Sequence, residues 1–166
     1  GKTEQALPMI QKLLKRRREL LGPNHPDTFM SMNNLAAMYD SIGKPDLALP
    51  LMEESVTLQR ARLGDDHPDT LVSMSNLAEN YRRVNQLDRS VALFEQTLRI
   101  AQSKLATDHP ILLKCTHGLA AAYWATKQFE KAIPLFEDLV KRSTATLGAE
   151  HPETLILMAN LGANYH

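Results

Sequence analysis

The pair His-Pro recurs four times at one fixed spacing: His25-Pro26, His67-Pro68, His109-Pro110 and His151-Pro152, each 42 residues after the last. Other residue types keep the same register with no gap. Leu35, Leu77, Leu119 and Leu161 align, as do Tyr39, Tyr81, Tyr123 and Tyr165, and Ala36, Ala78 and Ala120 align with Gly162. A single dipeptide says little. Several residue types locked to one period require an array of equal structural units, each too small to bury its own apolar face.

Each unit reads as two helices. Pro26 suits a first helical position, because its φ is fixed and its missing N–H would be unpaired there in any case. Asp27 beside it sits at the positive end of the helix dipole. Phe29, Met32, Leu35, Ala36 and Tyr39 then follow at spacings of three and four, the mark of one buried helical face. Gly43 supplies a stop, and a second helix from Pro45-Asp46 carries Ala48, Leu51, Met52, Ser55 and Leu58 as far as Gly64. Carried along the register, first helices are expected at 26–42, 68–84, 110–126 and 152–165, and second helices at 3–20, 45–63, 87–105 and 129–147. Pro8, Pro50 and Pro134 fall a turn inside three second helices, where proline forfeits a backbone bond; a local kink and a late helix start both fit. The recurring tyrosines and leucines are expected in the core.

The chain therefore divides into a half repeat (1–24), three whole repeats (25–66, 67–108, 109–150) and a further half repeat (151–166). The expected fold is all-α, a right-handed solenoid of eight antiparallel helices forming a single helical-repeat domain. Its cut repeats read as a fragment of a longer protein.

Charge and motif exclude several kinds of function. Lysine plus arginine equals aspartate plus glutamate, 19 each, so the chain has no net electrostatic hold on a phosphate backbone, and nucleic acid is not an expected partner. No apolar run approaches the roughly 20 residues of a membrane span, so no membrane partner is expected. Cys115 is the only cysteine, which excludes an internal disulfide and a thiolate metal cluster. The four repeated histidines do not form a metal site, because equivalent places in stacked repeats lie about 10 Å apart whereas zinc needs every nitrogen within ~2.1 Å. A loop role is expected of them instead, with the ring capping the helix start or packing on its neighbour. No phosphate loop, metalloprotease motif or nucleophile elbow occurs, so neither catalysis nor a cofactor is expected.

Met32-x-x-Leu35-Ala36-x-x-Tyr39, followed by Ala48 and Met52, resembles the tetratricopeptide pattern, whose usual period is about 34 residues. The longer period, the Leu-Gly-x-x-His-Pro-x-Thr loop and the string Asn33-Asn34-Leu35-Ala36 are similar to the repeats of kinesin light chains. Alanine takes the place of the family's small glycine in three units. The resemblance implies first helices lining a concave face that holds a partner protein or peptide. Its inward polar places are Asn33 and Asn34, then Ser75, Asn76, Glu79, Arg82 and Arg83, then His117 and Trp124, and last Asn160 and Asn164. Amides match both groups of an extended peptide backbone. An arginine fork matches a carboxylate, so an acidic peptide is the expected ligand. Each place has a plainer alternative: Asn34, Asn76 and Asn160 bonding the adjacent helix, Trp124 packing in the core, and Arg82-Arg83 lying on a solvated helix face. The rival function is a structural spacer or self-association segment. In that reading Ala6, Leu7, Ile10 and Leu13 at one end, and Leu155, Met158, Leu161 and Gly162 at the other, join chains end to end. The expected compartment is the cytoplasm.

Overall fold

A computed structural model describes residues 2–107 and 109–163. Among the described residues there are eight α-helices and no strand: α1 (Lys2–Leu21), α2 (Pro26–Ser41), α3 (Pro45–Leu63), α4 (Pro68–Arg83), α5 (Leu87–Lys104), α6 (Pro110–Ala125), α7 (Phe129–Leu147) and α8 (Pro152–Ala163). Every helix falls where the register places it, within a residue or two. Tyr165, Asn164 and the expected last turn of α8 lie outside the described residues.

The repeated His-Pro explains the sharp helix starts. His25, His67 and His109 are N-cap residues in extended conformation, and each is followed by proline at the first helical position. The Nδ1 atoms accept from the backbone N–H of Asp27, Asp69 and Ile111 respectively, each at 3.2 Å. A ring nitrogen thus satisfies a donor that the first turn would leave unpaired. The turn out of each first helix is equally regular: Gly43, Asn85 and Lys127 occupy one register position, all at positive φ. Pro50 and Pro134 lie inside α3 and α7, which begin five residues earlier, so a late helix start is excluded there; Pro8 lies likewise inside α1.

The chain forms two compact units, residues 1–86 and residues 87–166, and the boundary falls between the two helices of the second repeat. In the first unit consecutive helices pack in turn, α1 on α2, α2 on α3 and α3 on α4. Leu14, Met32 and Leu35 form a buried cluster, with Leu7, Ile10, Tyr39 and Leu51 packed around it. In the second unit α5, α6, α7 and α8 pack by the same rule, with Phe94, Leu98, Leu119, Ala120, Ala132 and Phe136 buried.

A hydrogen bond tied to the register joins α2, α4 and α6 each to the second helix before it. Tyr39 Oη accepts from Gln11 Nε2 at 2.8 Å, Tyr81 donates to Glu53 at 2.7 Å, and Tyr123 donates to Glu95. Tyr81 and Tyr123 are buried, as expected of core residues. Tyr39 is only partly buried, because its partner Gln11 stands exposed on α1, the outermost described helix of its unit.

Candidate functional site

The polar residues of the first unit lie on α2 and α4, and they fall into two layers. Beneath is a tie. Asn33 Nδ2 donates to Ser73 Oγ at 3.1 Å, while its Oδ1 accepts from Ser55 Oγ at 3.0 Å, so one side chain links α2, α3 and α4. Gln59 Nε2 donates to the same Ser55 at 2.9 Å. Both ends of the Asn33 amide are thus engaged inside the protein. Ser75 is fully buried, and its hydroxyl donates to the carbonyl of Val72 at 2.8 Å. Ser75 is closed off from the surface, whereas Asn33 stays partly exposed.

Above them is a charged cluster. Arg82 donates to both oxygens of Glu79, from Nε at 3.0 Å and from Nη2 at 2.6 Å. These bonds raise the Arg82 pKa above the ordinary guanidinium value, against an opposing effect of burial. Arg83 Nε lies 3.5 Å from Glu79, and its Nη1 lies 3.6 Å from Asp40 on α2. Asn80 Nδ2 donates to Asp40 at 3.0 Å. The sequence marks Glu79 as the only acid on this face. Asp40 is the second, so two carboxylates balance two guanidinium groups. The arginines are therefore not bare cations. Their side chains nevertheless keep 35% and 46% exposure, and Asn34 on α2 is exposed as well.

In the second unit the expected residues stand in apolar company. His117 is exposed and meets Phe136 edge-on at 6.3 Å between centroids. Trp124 holds the register position of Asp40 and Arg82. It is partly buried and packs at 4.5 Å against Phe129, itself partly exposed. Asn160 is exposed. Gly118 holds the register position of Asn34 and Asn76, and a Cβ there would sit 2.2 Å from the Phe94 ring. That position therefore faces the preceding second helix in this unit. A cleft of about 910 Å³ also opens along α6, α7 and α8. Periodicity alone does not reveal it, although comparing residues two periods apart brings out the changed side chains that line it.

Among the described residues no three histidine, cysteine or acidic side chains come together as a metal site. Cys115 is buried, which pushes its thiol up to about 11, with Lys114 acting in the opposite direction. A protonated thiol is a poor nucleophile at neutral pH. No helix among the described residues is long and apolar enough to cross a membrane.

Comparison with known proteins places this geometry. The family model described as Tetratricopeptide repeat matches residues 1–61, 43–103, 84–144 and 112–166. A crystal structure from Podosopora anserina, of nearly identical TPR-like repeats described as a kinesin light chain, is 32% identical with a TM-score of 0.84, over 99% of this chain and 78% of that one. A single-substitution form of the same protein gives a TM-score of 0.86 at the same identity and coverage. BtubC (BKLC) from P. vanneervenii shares the fold at 23% identity and a TM-score of 0.78, over 92% of this chain and 60% of that one. No curated protein sequence matches the chain.

Proposed function

Since the chain belongs to the tetratricopeptide-repeat family, whose repeats generally mediate protein–protein contact and do not catalyse reactions, we propose that it holds a peptide segment of a partner protein on the polar faces of its first helices. The observation that carries this reading is the partly exposed Arg82–Glu79–Arg83–Asp40 cluster. The proposed contacts in the first unit are Asn34, Asn76, Glu79, Arg82 and Arg83, with Asn33 and Ser75 shaping the surface from beneath. His117, Trp124 and Asn160 offer a separate surface on the second unit. An acidic ligand is preferred by exchange: its carboxylate replaces Glu79 in the Arg82 fork, and one charge-assisted pair is traded for another. The cytoplasm is the proposed compartment, on the strength of the lone free cysteine.

The test is a pull-down with the wild-type chain against an Arg82→Ala/Arg83→Ala form. Loss of an acidic partner in the double variant, with helicity unchanged, supports the reading; equal capture by both forms refutes it. The rival, end-to-end self-association, draws on the helix ends. Leu155 is 51% exposed whereas Leu71 at the same register is fully buried, and Leu13 and Met158 are likewise exposed. Light scattering across a concentration series separates the two, because a strictly monomeric species removes the rival.

A further inference from the structure

The third repeat and the half repeat after it depart from the residues two periods earlier around one place. Two periods after Asn33, Ser55 and Ser73, which tie three helices together, the register holds His117, Leu139 and Leu157. Phe29, Gln59 and Arg62 give way to the smaller Leu113, Ser143 and Thr146. Apart from His117, hydrogen-bonding and bulky groups become aliphatic or short, and the cleft of about 910 Å³ lies where they changed.

Its walls are aliphatic: Leu113, Leu139, Leu147, Ile156 and Leu157. Ile156 and Leu147 stand 60% and 46% exposed, so apolar surface remains in contact with water. Lys114, Arg142 and His117 also line the cleft, and among the described residues none that lines it carries a carboxylate or a side-chain amide. Arg142 is held in place, because Nε pairs with Asp138 at 2.7 Å and Nη1 donates to the carbonyl of Thr107 at 3.0 Å.

We propose that this cleft binds an anionic amphiphile: an aliphatic chain ending in a carboxylate, of the long-chain fatty-acid class. The cleft is of the size that small-molecule sites have, mostly apolar with a few polar groups. Covering its leucines and Ile156 with an alkyl chain removes apolar surface from water. The carboxylate head meets Arg142 and Lys114. A peptide is a poorer occupant, because its backbone needs donors and acceptors along its length. The amides that could supply them at Asn33 and Asn34 are replaced here by His117 and Gly118. The proposal shares His117 with the peptide-binding reading but does not rest on it, and that reading's Arg82 and Arg83 lie in the other unit.

Titration calorimetry with laurate below its micellar range tests it, with dodecanol as the uncharged counterpart. One saturable site for laurate is expected, with dodecanol bound about tenfold more weakly or worse. Ile156→Glu, at an exposed position, should weaken laurate by about tenfold or more while leaving the unfolding temperature unchanged, and Arg142→Glu should weaken it as much while the chain stays folded, although the variant loses the Asp138 and Thr107 bonds. Absence of saturable binding overturns the proposal. So does equal binding of dodecanol, or laurate binding that both folded variants leave intact. Two further results overturn it: an acidic peptide that displaces bound laurate at lower concentration than laurate itself binds, and sedimentation showing wild-type dimers that Ile156→Glu dissolves and laurate does not.

Discussion

Gly43, Asn85 and Lys127 share one register position and one backbone conformation, with φ of +71°, +60° and +60°. Glycine adopts that region freely and asparagine tolerates it, but lysine pays for its Cβ there. The turn geometry is therefore set by the repeat, and the residue at 127 is strained to fit it. Lys127→Gly should raise stability by about 0.5–1 kcal/mol, read as a higher midpoint in urea with unchanged slope. A lower midpoint would mean that Lys127 makes a compensating contact. Tyr123 gives a second test. Burial, with the Glu95 hydrogen bond adding to it, pushes its hydroxyl from the ordinary 10.0 up to about 12. A folded-state value above the unfolded one means that the contribution is fully present below pH 10 and is lost as pH rises towards about 12. Tyr123→Phe should flatten the part of the stability profile between those values. Cys115, raised from 9.0 to about 11 by burial, accounts for loss that begins lower. An alkaline profile unchanged in Tyr123→Phe would contradict the assignment.

At the scale of the helix, the sequence was legible because each boundary has a local chemical cause. Histidine caps, proline at the first position and a left-handed turn residue act within a few residues of where they stand. The core was legible for a similar reason, since Leu35, Leu77 and Leu119 recur on one face and all are buried. Leu77→Ala should cost about 2–5 kcal/mol in chemical denaturation, and a loss under about 0.5 kcal/mol would show that it is not core. The surface was less legible, because its state depends on side chains from other helices. Asp40 neutralises Arg83 across 43 residues of sequence, and Asn33 spends its amide on serines of two further helices. Neither pairing follows from periodicity, which assigns a face to a residue and not a partner. The Gln11, Glu53 and Glu95 partners of the tyrosines do recur at the period and could have been read from it.

Across the whole molecule, 19 basic residues balance 19 acidic ones, so long-range steering of a charged partner is weak and recognition must rest on local pairs. The two compact units offer different surfaces. The first carries paired charges and amides on α2 and α4; the second carries Trp124 against Phe129 and an aliphatic cleft. The central claim is that the first surface binds an acidic segment by exchanging it for Glu79. The most direct measurement is fluorescence anisotropy of a labelled acidic peptide on the wild-type chain and on Glu79→Gln, across a salt series. Removing the internal competitor should tighten binding by about tenfold, and added salt should weaken it in both forms. Binding that is indifferent to salt, or that weakens in Glu79→Gln, would contradict the account.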